Sequence, residues 1–210
     1  MADYHQYVFD QEKREFIGEF EEMYKQESIS NYDSWHQEDS RQLKLNIVLS
    51  LINEMNYSTI IDIGCGKGSF THKLKKRNND VYGLDISSTA VEIARQRFPD
   101  IQFSNLDVNK ILEVISTFKT VESKKGYVDF VFSSECFSYL ENWKELIEII
   151  SKHTKYFMIS LYIPEKPIGF IKAIDELETE IEMHFKIIES IHLTTTNAFI
   201  IYAESKISQL

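Results

Sequence analysis

The stretch Ile60–Phe70, IIDIGCGKGSF, sets Gly64, Gly66 and Gly68 directly behind an apolar run. The chain holds only 7 glycines in 210 residues, so the cluster marks a backbone that must bend sharply. The run before it, TIIDI, reads as a strand buried on both faces, and Gly68 to Arg77 reads as the helix that follows. Gly64 and Gly66 make the turn, while Gly68 lets the helix pack close. The spacing is G-x-G-x-G, one residue tighter than the G-x-G-x-x-G of dinucleotide binders. Taken alone, it also fits a tight strand–helix turn that holds no ligand.

Working downstream, DVYGLDI, IQFSNLD, VDFVFSS and KYFMISLYI are further strands. STAVEIARQRF, ENWKELIEIISKH and Ile168 to Met183 are helices, and a helix plus the polar loop VESKKGY precede the fourth strand. FKIIESIHL and NAFIIYAES are two adjacent strands joined at TTT. This alternation predicts an α/β, Rossmann-like, seven-stranded sheet, mostly parallel with a C-terminal antiparallel strand and helices on both faces. Upstream, Phe16, Ile17, Phe20, Met23 and Tyr24 recur at helical spacing, the loop ISNYDSWHQEDS follows, and a second amphipathic helix spans about Ser40 to Met55. We expect one domain over residues 1–210, with 1–55 as a helical lid and 57–210 as the core.

The formal net charge is −10, which argues against a nucleic-acid backbone as partner. Cys65 and Cys136 match no zinc spacing, so no metal site and a reducing compartment are expected. The polar, acidic start MADYHQYVFDQEKREF is unlike a signal peptide, and no apolar run approaches the roughly 18 residues of a membrane span. The expectation is a cytoplasmic protein without membrane contact.

Two carboxylates give the glycine turn a ligand. About 20 residues beyond the first glycine, an acidic residue ending the second strand can accept from both hydroxyls of an adenosine ribose, and Asp85 stands there. Its other reading is an N-cap, but Ser87 and Ser88 already serve the next helix. Asp107, after the third strand, can accept from an adenine amino group while the Val108 N–H meets a ring nitrogen. Features at the ends of three consecutive strands point jointly to an adenosine.

IIDIGCGKGSFTHKL, VYGLDISSTAVEIAR, FSNLDV and VDFVFSSECFSYL together resemble the successive motifs of class I S-adenosylmethionine-dependent methyltransferases, from about Thr59 to Tyr162. The resemblance implies S-adenosylmethionine as cofactor and S-adenosylhomocysteine as product. By it, Asp62, Gly64 and Gly66 line the methionine half, Asp85 binds the ribose, and Asp107 with Val108 reads the adenine. Cys65, Ile86, Leu106, Trp35 and Arg41 complete the expected cofactor set, and Glu135 falls where the family borders sulfonium and substrate. Charge agrees: Asp62, Asp85, Asp107 and Glu135 suit a cationic sulfonium and repel a pyrophosphate, which favours positive charge at a helix N-terminus.

Methyl transfer rests mainly on positioning, with a base needed for a hydroxyl acceptor. Glu135 is the first candidate beside the acceptor, with plain cofactor contact as the other reading. Tyr139 orients the acceptor or simply packs. His36 belongs to a lid loop whose aromatics, Tyr32 and Trp35, suit cover over the site, or is a solvated loop histidine. Arg41 grips the methionine carboxylate or pairs with Asp39. SSECF stands where amino-methylating nucleic-acid enzymes carry N-P-P-[YFW], so a small-molecule acceptor is expected, with oligomeric state open. YDSWHQEDSR and SSECFSYL are similar to bacterial methyltransferases acting on sugars, amines or lipid-chitin precursors, and to those of O-methyl phosphoramidate capsule decoration. These imply O-methylation in surface-polysaccharide biosynthesis. The alternatives are N-methylation of a small amine or amino sugar, or a non-catalytic cofactor-binding partner subunit.

Overall fold

A computed structural model describes residues 4–10, 12–30, 32–116 and 127–207, the side chains of 4 and 5 excepted. Most of the expected loop VESKKGY lies outside the described residues. Five strands alternate with helices: β1 (Thr59–Ile63), β2 (Asp80–Asp85), β3 (Gln102–Asn105), β4 (Val128–Ser134) and β5 (Thr154–Tyr162), followed by β6 (Phe185–Leu193) and β7 (Ala198–Ser205). The sheet order is β3-β2-β1-β4-β5-β7-β6. The first five strands run parallel, and β7 inserts antiparallel between β5 and β6. The expected fold is the observed one.

The sequence alternates apolar side chains to both faces of this sheet, so each strand seeds two cores. Ile60, Phe130, Phe132 and Met158 pack under α2 (Leu43–Asn53), α3 (Ser69–Leu74) and α4 (Ser88–Arg97). Ile61, Ile63, Val131, Phe157 and Ile159 pack under α5 (Ile111–Ile115), α6 (Trp143–His153) and α7 (Ile174–His184). The helix after the glycines is shorter than expected. Asn79 donates to the Leu74 carbonyl (2.9 Å) and accepts from the Lys76 N–H (2.7 Å), which ends α3 at Leu74.

The N-terminal segment departs from the periodicity reading. Helix α1 spans Phe20–Ser30 only, and Phe9–Asp10 pairs antiparallel with Glu15–Phe16. Asp10 accepts the Lys13 N–H at 2.9 Å in the hairpin turn, and Gly18, at φ +77°, redirects the chain into α1. Phe16 and Phe20 therefore share an apolar cluster without sharing a helix. Residues 168–173, also expected to be helical, are not, and there the Phe170 N–H donates to the Ser138 carbonyl at 2.7 Å.

All three glycines of the turn lie in the left-handed region, at φ +76°, +54° and +76°. What fills the space of their missing Cβ atoms is protein. A Cβ on Gly64 would stand 2.7 Å from Cys136 Cβ, one on Gly66 2.6 Å from the Tyr24 hydroxyl, and one on Gly68 2.8 Å from the Phe103 ring. The Gly66 N–H donates to Asp85 Oδ2 at 2.8 Å, drawing the turn onto the end of β2.

Helix α1 is tied to the same end of the sheet. Glu21 accepts from Ser87 Oγ (2.7 Å), Ser88 Oγ (3.1 Å), Thr89 Oγ1 (2.8 Å) and the Thr89 N–H (3.2 Å), all at the start of α4. The fully buried Glu27 pairs with Lys67 of the glycine turn at 3.0 Å and accepts the Ser34 N–H at 2.9 Å. Glu38 bridges Arg97 (2.6 Å) and Ser69 (3.1 Å). Val8, Met23 and Tyr24 bury Ala90 of α4 beneath them.

Burial opposes ionisation of Glu21, but the hydrogen bonds from Ser87, Thr89 and Ser88 outweigh it and hold its pKa down to about 2. Because the folded value lies below the unfolded one, near 4.5, the stabilisation is present above pH 4.5 and disappears as pH falls towards 2. Glu21→Gln is expected to lower stability at pH 7 by roughly 0.5–1 kcal/mol, the range of an exposed cap, with the gap to wild type narrowing below pH 4.5 in denaturant titrations. A gap that stays constant with pH would contradict this.

Gly66→Ala is expected to destabilise the fold itself by at least about 1–2 kcal/mol, from left-handed strain before any steric term. The Tyr24 hydroxyl adds to that cost, so Gly66→Ala combined with Tyr24→Phe should be more stable than the two single effects added. Strict additivity in a thermal double-mutant cycle would show that the hydroxyl contact is irrelevant.

Candidate functional site

A cavity of about 280 Å³ opens across the C-terminal ends of β3, β2, β1 and β4, where a parallel sheet with reversing strand order leaves a crevice. Its roof is the N-terminal segment, through Phe16, Ile17, Phe20, Tyr24 and Trp35. Of the expected positions, Gly64, Asp85, Ile86, Leu106, Asp107, Val108, Glu135, Trp35 and Tyr139 border it.

Asp85 is buried, with 8% of its surface exposed, and is not wholly free for a ligand as the sequence reading held. Oδ1 accepts the Ser87 N–H (2.9 Å) and Oδ2 the Gly66 N–H (2.8 Å). Each oxygen keeps a further lone pair, so the carboxylate can still accept twice. Burial pushes its pKa up to about 6 against the pull of the Ser87, Gly66 and Ile86 amides. Ser87 itself caps α4, accepting the Ala90 N–H at 3.1 Å. Asp107 accepts from the Asn109 backbone N–H (3.0 Å) and side chain (2.9 Å), both on Oδ1.

At the other end of the cavity stands Glu135, just past β4, with φ +61°. Its N–H donates to the Ser160 carbonyl at 2.9 Å, and its Oε2 accepts the Tyr162 N–H at 3.0 Å. Its Oε1 holds the ammonium of Lys44 from α2. Tyr139 lies within an aromatic cluster, stacked on Phe16 at 5.7 Å and tilted against Phe9, Phe20 and Trp35 at 5.6, 5.3 and 6.0 Å. Burial, then the nearby Glu135 charge, pushes its pKa well above that of an ordinary tyrosine, so it acts as a neutral wall rather than a base.

Five expected residues do not border the cavity. His36 is exposed, its backbone at φ +50° and its ring edge-on to Tyr32 at 6.3 Å. Arg41 is solvated and forks onto Asp39, with both contacts at 3.0 Å, the second of its two expected roles. Asp62 is buried beneath the turn, accepts the Thr71 hydroxyl at 2.7 Å, and is pushed up to about 7 by burial. Cys65 is buried, and Gly66 faces Tyr24. The Tyr24 hydroxyl occupies the space of the missing Gly66 side chain.

The wall also holds residues that the sequence did not single out, among them Tyr24, Gln37, Gln42, Lys44 and Cys136. Lys44 carries no local signal, being one polar residue of the amphipathic helix expected over about Ser40 to Met55. No group of three or more His, Cys, Asp or Glu able to hold a metal occurs among the described residues, nor any helix long and apolar enough to cross a membrane.

Residues 61–156 match a family model described as a methyltransferase domain. Trans-aconitate 2-methyltransferase of Deinococcus radiodurans is 25% identical over 129 residues, 60% of this chain and 45% of that protein. The chain spans about half the length of the curated relatives it matches first. Among solved structures, N-methyltransferase NodS from Bradyrhizobium japonicum WM9, in complex with S-adenosyl-L-homocysteine, is similar at TM-score 0.66 and 17% identity, over 89% of this chain and 98% of that one. Magnesium protoporphyrin IX methyltransferase from Synechocystis PCC 6803, with bound S-adenosylmethionine, is similar at TM-score 0.60 and 16% identity, over 98% and 99%. At these identities the structural likeness is one of fold. Residues 61–156 thus match the methyltransferase-domain family, and the sheet that carries them has the fold of the solved S-adenosylmethionine-dependent methyltransferases.

Proposed function

We propose that the chain is an S-adenosylmethionine-dependent methyltransferase acting on a small molecule. One observation carries the reading: two carboxylates, Asp85 and Asp107, border one end of a cavity that crosses the glycine turn and ends at Glu135. Asp85 would take the ribose hydroxyls, Asp107 with Val108 the adenine, and Gly64 the main-chain approach. Three carboxylates against one basic residue on the described wall suit a sulfonium better than a pyrophosphate. When bound, that cofactor supplies an electrophilic methyl group for in-line displacement.

The chain's own contribution is position and exclusion of water. Residues 1–55 act as the lid of a single domain whose core is 57–210, and α1 holds the roof in place through Glu21 and Glu27. Glu135, anchored at the cavity end by the Tyr162 N–H, would accept a proton from an acceptor hydroxyl. This supports O-methylation, and the likeness of YDSWHQEDSR and SSECFSYL supports a sugar or phosphoramidate of bacterial surface polysaccharide as acceptor. The acidic wall favours the second reading, N-methylation of a small amine or amino sugar. The free thiols of Cys65 and Cys136 fit a cytoplasmic setting.

Calorimetry on the full chain is expected to show binding of S-adenosylmethionine and S-adenosylhomocysteine and none of NAD. Asp85→Ala should weaken binding of the product by roughly 1.5–3 kcal/mol, the loss of hydrogen bonds to a charged group. It should also lower the melting temperature, because the Gly66 and Ser87 amides lose their acceptor. Wild-type affinity in Asp85→Ala would reject the ribose assignment, and transfer of a labelled methyl group separates an enzyme from a non-catalytic subunit.

A further inference from the structure

Lys44 is the only basic side chain on the cavity wall among the described residues. It stands with Glu135 at the β4 end, and β1 separates that strand from β2 and its Asp85. The two partners are unequal in freedom. Glu135 is fixed by β5 through its N–H to Ser160 and through the Tyr162 N–H on Oε2, on a left-handed backbone. Lys44 reaches it on a flexible four-carbon stem that can swing to another anion. Both side chains are largely withdrawn from water, at 14% and 20% exposure. In such a place, parting the pair strands the ammonium unless the incoming group brings its own negative charge, while Glu135 keeps the Tyr162 N–H on Oε2 as its compensation. Gln42 borders the same cavity, one amide N–H donating to the Trp35 carbonyl at 3.3 Å and one left over.

We propose that Lys44 is a specificity-determining residue that selects acceptors bearing an anionic group, carboxylate or phosphoryl, by exchanging Glu135 for that group. The exchange leaves Glu135 beside the acceptor with its Oε1 unpaired. This rests on the methyltransferase reading and adds the acceptor's charge class to it.

The test is calorimetry on the full chain saturated with S-adenosylhomocysteine, using phenylacetate and phenyl phosphate as anionic probes and phenylacetamide as the uncharged control. Both anions should bind, and the amide should bind at least about tenfold more weakly. Lys44→Met should lose about tenfold or more for the anions, Lys44→Arg should keep most of the affinity, and Glu135→Gln, which frees the ammonium, should gain several-fold. Equal binding of acid and amide, or no anion binding at all, would overturn the proposal. So would Lys44→Met weakening S-adenosylhomocysteine but not 5′-methylthioadenosine, which lacks the amino-acid end; that pattern assigns Lys44 to the cofactor's own carboxylate. If the wild-type chain fails to bind S-adenosylhomocysteine, the cofactor reading falls first and this one with it.

Discussion

The carboxylate of Asp85 holds together three things that the sequence keeps apart. Its Oδ2 fixes the Gly66 amide, its Oδ1 fixes the Ser87 amide, and its own strand pairs with β1 and β3. The glycine turn, the start of α4 and the end of β2 are therefore one unit. Burial opposes ionisation here, so the two amides are what make a carboxylate tolerable at this depth. A side chain engaged in this way is preorganised, with its lone pairs aimed by contacts already made. The ordering that a ligand would otherwise have to impose is done during folding.

The N-terminal segment extends this unit by charge rather than by strand pairing. Glu21 grips the same Ser87 whose amide Asp85 holds, and Glu27 reaches Lys67 between the second and third glycines. Buried or half-buried ion pairs of this kind add little net stability, since desolvation offsets their attraction. What they supply is registration. An apolar contact of Met23 and Tyr24 on Ala90 would tolerate sliding, whereas Glu21 fits only the donors of one helix start. The roof of the cavity is thus placed relative to its floor by directional bonds.

Most of the sheet was legible because buried parallel strands carry continuous apolar runs and the helices between them carry their own period. TIIDI, VDFVFSS and FKIIESIHL are strands over those same residues. The carboxylates at strand ends were legible for the same reason, because position in the fold follows from the strand pattern. The lid was not. Phe16, Ile17 and Phe20 satisfy a helical spacing, yet a two-residue ladder and Gly18 interpose, and local hydrogen bonding of Asp10 decides against the period. His36 and Arg41 belong to a loop, where no periodicity fixes direction, and they do not border the cavity. Gly66 illustrates a different limit. Its φ was predictable, but the Tyr24 hydroxyl that occupies its missing side-chain volume comes from a helix more than forty residues away in sequence.

The same distance hides Lys44. On its helix it is one polar residue beside an apolar stripe, and nothing local distinguishes it from a solvated lysine. Its meaning arises when α2 lies across the sheet and meets a strand end from the second half of the chain. There the chain pays for left-handed backbone at Glu135, a residue whose Cβ disfavours it, and the ladder to β5 holds that conformation. Strain at one residue, an opposing charge from a distant helix and a wall of aromatic rings coincide at a single point of the cavity. Asp85 and Asp107 lie at the opposite end, where the backbone amides on Asp85 and the Asn109 donors on Asp107 stabilise negative charge. The cavity is therefore polarised along its length: carboxylates held by neutral donors at one end, and a carboxylate held by an exchangeable cation at the other.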